Sequence, residues 1–345
     1  MNILIDIGHP AHVHLFKNFI WKMKKRGNKV IVTAKDSFMI NYLLKKYNIN
    51  YINLGKKGSG LFGKTIKQFI FDLKILFFLY KFKIDKAMGT SISISHACLF
   101  HKSKSYVFNE DNVESAPLFA KSAYPFADYI ITPKCLNENH GKKHIQISSL
   151  HELAYLHPDN FKPDKKILKE LNVKEGEKFF ILRFNAFKAH HDKGIKGLSL
   201  ESKRKLINLL DKHGKIFITS EEELGKEFNK YKIKIDPAKI HHALYYAHLF
   251  IGDSNSMMIE AAVLGTPAVR CNDFVGRCPV IEELEHKYGL TYGFKPKEND
   301  KMFIKIKTLL KNKNLKKEWQ QKREKLLKDK IDLTKWMVDF IEKQN

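Results

Sequence analysis

The sequence is poor in arginine, and this shortage limits what its strong positive charge can mean. The 345 residues carry a formal net charge of +25, yet only six of the 62 basic residues are arginines. Proteins that read nucleic-acid grooves favour arginine, because its planar guanidinium makes bidentate contacts. The lysines are instead distributed over almost every predicted helix, which indicates solvated helix faces. We therefore expect no specific nucleic-acid partner, and attraction to anionic lipid or to phosphorylated substrates.

The chain also has few cysteines and no apolar run long enough to span a bilayer. Its four cysteines show no CxxC spacing, which fits a reduced intracellular chain better than a disulfide framework. The N-terminus lacks the basic and apolar regions of a signal peptide. The most apolar segment, FIFDLKILFFLYKF at 69–82, is interrupted by Asp72 and Lys74 and is too short to span a membrane. It predicts a buried or membrane-surface helix in a cytoplasmic protein, with peripheral contact at the inner face of an anionic membrane.

Short apolar runs alternate with helical periodicity along most of the chain. One series begins with the run NILIDI and ends with DYIITP, and a second begins with KFFILRF and continues through KIFITS, LFIGD and PAVRC. This alternation predicts an α/β protein with mostly parallel sheets covered on both faces. Because the chain is longer than one core readily supports, we expect two domains.

The predicted domain boundary lies in the polar stretch 137–176, which is rich in Pro, Asn, Lys and His. We expect one domain over 1–155, a second over 156–330 and a C-terminal helix over 331–345. This last helix has an apolar stripe that needs a covering surface, so we expect it to pack on either domain, and it is a candidate to cross back to the first. The stripe consists of Trp336, Met337, Phe340 and Ile341.

The most informative segment is IGDSNSMMIEAAVLGTPAVR at 251–270. An apolar run ends at Gly252, small polar residues form a turn, and the predicted helix that follows carries Glu260. Amide groups and hydroxyls in such a turn can hold a phosphate or diphosphate, which the helix dipole also favours. The Glu260 carboxylate could then accept both hydroxyls of a ribose. The alternative is an ordinary N-cap at Ser254 or Asn255, with Glu260 on a solvated face.

The pattern D-S-N-S-x-x-x-E-A-A-x-x-G-T-P resembles the donor-site segment of GT-B-fold glycosyltransferases and of the related non-hydrolysing UDP-N-acetylglucosamine 2-epimerases. The resemblance implies diphosphate contacts for Ser254, Asn255 and Ser256, and ribose contacts for Glu260. The epimerases have paired glycines where Asn255 and Ser256 stand. As a whole the chain most resembles an uncharacterised bacterial and archaeal family of GT-B-like proteins with a GHPAHVH opening. This implies two Rossmann-like domains whose parallel sheets face a central cleft.

The stretch GHPAHVHLF, directly after the first apolar run, is similar to the corresponding loop of the glycosyltransferase that makes lipid II and of small-molecule glucosyltransferases. The match places His12 on a histidine that contacts the acceptor or acts as a base in those relatives. Gly8 shapes the turn that presents it and is included among the predicted binding residues. His9 and His14 stay unassigned. We expect no metal here, since no carboxylate lies beside the histidines and a helix start disfavours an adjacent dication.

Three further groups follow predicted strands. Arg183 ends the first strand of the second domain and could neutralise a diphosphate. Glu110, Asp111 and Glu114, in NEDNVE at 109–114, are candidates for acceptor binding or for a catalytic carboxylate. An acid-rich helix N-terminus without chemistry is the alternative for these three. His190, His191 and Asp192 form the third group, which either closes over the nucleotide or sugar or belongs to a solvated loop.

The resemblance implies a glycosyltransferase, and the lack of a clear Asp-x-Asp motif at a strand end indicates a metal-independent one. Such an enzyme would move a sugar from a nucleotide diphosphate-sugar, with UDP as the expected nucleotide, to a glycan or lipid-linked acceptor in surface polysaccharide biosynthesis. The nucleotide-sugar is then a substrate, and no cofactor is expected. The alternative is an isomerase similar to UDP-N-acetylglucosamine 2-epimerase, which needs no acceptor. A basic protein that binds nucleic acid or membrane is a third reading.

Overall fold

The computed structural model describes residues 1–58, 60–184, 197–220 and 224–344, and its internal contacts divide the chain into two units. The first unit comprises Met1–Asn160 and Lys330–Asn345, and the second comprises Phe161–Asp329. Two features lie outside the described residues: the predicted loop with His190, His191 and Asp192, and the acidic cluster at 221–223, where the sequence predicts the start of a helix.

The first unit is a seven-stranded parallel sheet with helices packed on it. Its strands are β1 Asn2–Ile7, β2 Lys29–Lys35, β3 Ile52–Gly55, β4 Lys86–Gly89, β5 Lys104–Phe108, β6 Tyr129–Pro133 and β7 His144–Ile147. Its helices are α1 Pro10–Lys25, α2 Phe38–Lys46, α3 Gly60–Lys81, α4 Ile92–Cys98, α5 Pro117–Ala123, α6 Leu153–Leu156 and, near the C-terminus, α14 Leu333–Lys343. The strand order is β3-β2-β1-β4-β5-β6-β7.

The order of the strands reverses beside β1, and this fixes where a ligand can reach the sheet. β1 pairs with β2 on one side and with β4 on the other, and Asp6 of β1 lies opposite both Thr33 and Gly89. The helices that follow β1 and β4 therefore lie on opposite faces and leave a crevice at the carboxyl ends of the two strands. The loop that begins at Gly8 opens into that position.

The C-terminal helix α14 packs within the first unit. Met337 and Ile341 are fully buried, and the buried Lys86 ammonium donates to the Ile341 carbonyl. The Phe340 ring contacts two tyrosine rings of the sheet, with centroids 6.0 Å from those of Tyr106 and Tyr129. The sheet surface of the first unit thus covers the apolar stripe noted in the sequence.

The second unit is a five-stranded parallel sheet in the order β12-β11-β10-β8-β9. Its strands are β8 Phe179–Phe184, β9 Lys215–Ser220, β10 Leu249–Gly252, β11 Ala268–Cys271 and β12 Thr291–Phe294. Its helices are α7 Lys166–Glu170, α8 Leu200–Leu210, α9 Ile240–Tyr246, α10 Asn255–Val263, α11 Pro279–Glu282, α12 Asn299–Lys311 and α13 Leu315–Asp329. Here the order reverses between β8 and β10, so the crevice lies where Arg183 and Gly252 end those strands.

The two parallel sheets, each a Rossmann-like unit, confirm the predicted α/β fold class. Two edge strands, β7 and β12, were not predicted. Across the described ranges, no helix combines the length and the apolar character that crossing a membrane requires.

Candidate functional site

The loop after β1 holds two of the three N-terminal histidines at the crevice of the first unit. Pro10 starts α1, where its missing N–H costs nothing, and His9 is the N-cap residue. The His9 ring accepts a hydrogen bond at Nδ1 from the Ala11 amide at 3.2 Å. His12, in the first turn of the helix, receives the Gly8 amide at Nδ1 over a longer 3.4 Å. His9 therefore shapes the helix start, and His12 is the histidine available for chemistry.

His12 is held in a neutral form by its surroundings. Burial lowers its pKa well below the usual 6.5, and four neighbouring basic residues, His9, His151, Lys57 and Lys35, lower it further. The pKa of Lys57 is itself lowered, first by burial and then by Lys35. At neutral pH the His12 imidazole therefore has a lone pair, and the groups around it favour a negatively charged ligand.

His14 lies away from this chemistry, in the core of the first unit. It is buried, and its ring packs against Tyr47 and Tyr155 at centroid distances of 5.8 and 5.3 Å. The Tyr47 hydroxyl is 3.4 Å from Nδ1. These contacts give His14 a packing role.

His151 is a candidate that the sequence analysis missed. It follows β7, is only 6% exposed, and burial lowers its pKa to about 3. Its Nδ1 lies 3.3 Å from a carboxylate oxygen of Glu110, in the loop after β5, while its buried Nε2 has no hydrogen-bond partner within the described structure. A buried, neutral imidazole beside a carboxylate, in the neighbourhood of His12, is a typical proton-transfer arrangement.

Asp111 and Glu114 lie in the same loop after β5, with exposed side chains. The loop is fixed from inside by the buried Asn109, whose amide donates to the Asp111 carbonyl at 2.7 Å and to the Tyr124 hydroxyl at 2.8 Å. In the same loop, the Glu110 carboxylate contacts the buried His151. The roles of Asp111 and Glu114 stay predictions.

In the second unit the turn after β10 forms the start of α10. Ser254 is the N-cap residue, and its hydroxyl accepts from the Met257 amide at 3.5 Å. Asn255 is half-buried and Ser256 is exposed, both in the first turn. The predicted N-cap at Ser254 is therefore present, and at 3.5 Å its hydrogen bond is long. Amides at the start of a helix attract anions.

A fully buried arginine supports this turn from behind. Arg270, in β11, donates from Nη1 to the Asn255 side-chain oxygen at 2.7 Å. The buried Asn272 donates to the same oxygen at 3.2 Å and to the Asp253 carbonyl at 2.8 Å. Two further guanidinium nitrogens of Arg270, Nε and Nη2, have no hydrogen-bond partner in the part of the chain described, and Nη2 lies 3.9 Å from a carboxylate oxygen of Glu282. The turn is thus held rigidly next to a buried positive charge.

Glu260 lies one turn further along α10 and is buried, not on a solvated face. Its Oε1 is 2.9 Å from Nε2 of His241, a buried residue of α9. His241 therefore orients the carboxylate for which the resemblance predicts ribose contacts. His241 was not among the residues predicted for this site.

Arg183 lies at the end of β8, beside the turn. Its Nη1 donates to the Thr219 hydroxyl at 3.0 Å, and its carbonyl accepts from the Asp253 amide at 3.1 Å. Arg183, Asp253 and the start of α10 therefore meet at the crevice of the second unit. His12, Asp111 and Glu114 belong to the first unit.

A possible metal-ligand group in the described ranges lies elsewhere. Ligand atoms of His157, Asp159 and Asp332 come within 4.8 Å of one another. However, Asp332 already caps α14 by accepting from the Lys335 amide, and it also accepts from Asn160 at 2.7 Å. These contacts explain the cluster as a helix cap and not as part of the predicted site.

Two Rossmann-like units of parallel strands, each with polar groups at its switch point, define a protein of the GT-B fold. The glycosyltransferase VinC in complex with dTDP is similar, with a TM-score of 0.67 at 9% identity over the full length of both chains. The UDP-GlcNAc 2-epimerase from Neisseria meningitidis, bound to UDP-GlcNAc, is also similar, with a TM-score of 0.69 at 14% identity over both full chains. These likenesses confirm the predicted fold.

The chain belongs to the family described as "Protein of unknown function (DUF354)", whose model matches residues 1–341. The uncharacterized protein MJ0665 of Methanocaldococcus jannaschii is a relative, 28% identical over 286 residues that cover 79% of this chain and 82% of that protein. An uncharacterised family with a GT-B fold is what the opening motif led us to expect.

Proposed function

We propose that this protein is a nucleotide-sugar enzyme, and specifically a glycosyltransferase that moves a sugar from a nucleotide diphosphate-sugar to an acceptor. The observation on which this proposal rests is the turn at the start of α10, supported by the buried Arg270 and flanked by Arg183. Backbone amides at a helix start, together with fixed positive charge, stabilise a diphosphate both when it binds and when it leaves. UDP is the expected nucleotide.

The proposed donor contacts follow from these positions. Ser254, Asn255 and Ser256 would bind the diphosphate, and Arg183 would neutralise charge that develops as it departs. Glu260 would accept the ribose hydroxyls, with His241 holding its carboxylate in one orientation. No metal ion is required by this scheme, because the cationic groups are supplied by the protein.

The first unit supplies the proton chemistry in this proposal. His12 would take the proton from the acceptor hydroxyl, and its lowered pKa keeps it neutral for that step. In the tautomer that accepts the Gly8 amide, the lone pair is at Nδ1, and the 3.4 Å contact is long enough to be exchanged for a substrate hydroxyl. The lysines beside His12 suit an acceptor that carries phosphate, such as a lipid-linked glycan of surface polysaccharide synthesis.

The second candidate is a nucleotide-sugar isomerase, and the Glu110–His151 contact favours it. Epimerisation at carbon requires one group to remove a proton and another to return it, and no acceptor. A carboxylate 3.3 Å from a neutral imidazole, close to a second neutral imidazole, could supply both groups. The similarity to the Neisseria meningitidis epimerase supports keeping this alternative.

A thermal-shift series tests the donor site. Wild type, Glu260→Ala and the control Glu324→Ala, which alters an exposed glutamate of α13, would each be melted with and without uridine, guanosine, cytidine and thymidine diphosphates. A nucleotide at about 100 times its dissociation constant should add roughly 2.7 kcal/mol of stability to wild type and to the control. The shift should be lost in Glu260→Ala. No shift with any nucleotide would disprove the donor site.

An activity assay then separates the two reactions. Incubation with UDP-N-acetylglucosamine alone should leave the nucleotide-sugar unchanged if the protein is a transferase. A new UDP-sugar formed without acceptor would establish the isomerase instead.

A further inference from the structure

The long helix α3 exposes an apolar stripe on the surface of the first unit. Five large side chains on it are between 46% and 63% exposed, although each is apolar or aromatic. They are Ile66, Phe69, Leu73, Phe77 and Tyr80. We refer to these five residues as the α3 stripe.

The spacing of the α3 stripe places its side chains on one face. Intervals of three or four residues keep them within roughly a quarter of the helix circumference. The opposite face of α3 is the one that packs into the unit, through Phe71, Ile75 and Leu79, all buried. The stripe is therefore separate from the surface through which α3 packs on the unit. A row of large apolar groups on a protein surface commonly marks an interaction site.

Positive charge lines one side of the stripe. Lys67, Lys74 and Lys81 recur every seven residues, so they form a row parallel to it, in which the Lys74 ammonium donates to the Leu54 carbonyl at 2.7 Å. The helix contains one acidic residue, Asp72, whose carboxylate contacts Gln68 at 2.6 Å and His96 at 2.8 Å. The face thus combines aromatic and aliphatic side chains with a flanking cationic row. The helix itself adds no exposed acidic residue to this face.

The apolar surface continues beyond the helix. The Tyr80 hydroxyl donates to the Phe100 carbonyl at 2.6 Å, and its ring packs on His101 at 4.7 Å. This contact joins the end of the stripe to the turn after α4, where Leu99 and Phe100 are 56% and 68% exposed. An adjacent exposed lysine, Lys102, again supplies charge.

We propose that the α3 stripe is a membrane-docking surface that binds anionic phospholipid. Interfacial helices insert apolar and aromatic side chains at the headgroup level and place lysines where they meet anionic headgroups. Each lysine near such a surface contributes about 1 kcal/mol, which is about fivefold in affinity. The net charge of +25 also attracts the whole protein to an anionic membrane surface. This proposal is independent of the proposed nucleotide-sugar chemistry.

The experiment is co-sedimentation of the full chain with vesicles, without nucleotide. One set of vesicles contains phosphatidylcholine alone, and the other contains equal parts of phosphatidylcholine and phosphatidylglycerol. The test variants are the pair Phe69→Ser with Phe77→Ser, and the pair Lys67→Gln with Lys81→Gln. The matched controls alter exposed residues of the second unit: Leu200→Ser with Ile304→Ser, and Lys311→Gln with Lys313→Gln.

Wild type and both controls should bind the anionic vesicles and bind the neutral ones far less. Each test pair should weaken binding to anionic vesicles by about tenfold or more, with an unchanged circular dichroism spectrum. Equal binding of test and control variants would overturn the proposal, as would equal binding to neutral vesicles. The proposal would also fail if wild type did not bind vesicles but sedimented as a dimer in analytical ultracentrifugation, and if the Phe69→Ser, Phe77→Ser pair converted that dimer to a monomer. That result would assign the face to a second copy of the chain.

Discussion

The two units place different chemistry at equivalent positions. In each, the order of the strands reverses beside the first strand of the sheet, and the loops that follow the central strands hold the polar groups. In the first unit these groups are histidines that burial keeps neutral, His12 and His151. In the second they are hydroxyls, amides and the guanidinium groups of Arg183 and Arg270. One architecture thus presents groups that can exchange protons and groups that can hold an anion.

The two units also share a backbone feature, since each crevice depends on a glycine beside the first strand of its sheet. Gly89 ends β4 opposite Asp6, and Gly252 ends β10 opposite Arg183. A Cβ atom at Gly89 would lie 2.7 Å from the Asp6 carbonyl oxygen, and one at Gly252 would lie 2.3 Å from that of Arg183. Both positions need glycine for close approach of the two strands, and the second is the tighter.

Replacement of His12 should have the largest effect, and it tests whether the first unit performs the proton chemistry. Removing a general base costs about 10²- to 10⁴-fold in kcat. Glutamine can mimic the hydrogen-bond donor of an imidazole but cannot take a proton, so His12→Gln and His12→Ala should lose activity equally. Nucleotide binding by thermal shift should not change in either variant.

The pH profile gives a second readout of the same prediction. Because the pKa of His12 is lowered by burial, kcat/KM should stay high as the pH falls below 6.5 and decline only at lower pH. If His12→Gln retained activity, the ring would act as a hydrogen-bond donor, and the contrast between the two units would disappear.

The two glycines provide the next test. Gly252→Ala and Gly89→Ala should each destabilise the protein by about 1–3 kcal/mol through overpacking, with the larger loss for Gly252→Ala. The measurement is the free energy of unfolding from urea titration. Gly63→Ala is the control, since no atom lies within 4 Å of its added Cβ and alanine suits a helix better. Equal stability of all three variants would contradict the close approach at the strand ends.

The central strands and their loops could be predicted from sequence because they are buried on both faces. Strands such as NILIDI and KFFILRF then appear as continuous apolar runs, and the polar residues after them are easy to recognise. The edge strands β7 and β12 are only four residues long and partly exposed, so HIQI and TYGF lack that signal. Because β7 was not predicted, His151, which follows it, was not recognised as a candidate.

The supporting contacts of the second unit could not be predicted for a different reason. The position of Glu260 after the turn follows from local sequence, whereas its contact with His241 depends on how α9 packs on α10. The bond from Arg270 to Asn255 likewise crosses from β11 to α10. Such pairs are determined by tertiary packing, which residue spacing in a single sequence does not encode.

The expected effect that is smallest at neutral pH concerns His151, because it acts through the pH dependence of stability. Its folded pKa of about 3 lies below the unfolded value near 6.5, so between these pH values the unfolded chain binds a proton that the folded chain excludes. His151 therefore makes stability fall as the pH decreases, by up to about 1.4 kcal/mol per pH unit. In His151→Gln this part of the slope should vanish. His248→Gln is the comparison in the second unit, where burial lowers the histidine pKa to about 4.

The measurement is urea unfolding of wild type and both variants at several pH values from neutral to mildly acidic. A flatter profile for His151→Gln would show a neutral histidine beside Glu110. The opposite result is equally informative. If His151 were instead charged and paired with Glu110, its folded pKa would lie above 6.5, and it would stabilise the fold below that pH. In that case His151→Gln would lose stability more steeply than wild type as the pH falls. The first unit would then contain an ion pair where we infer a neutral proton-transfer group.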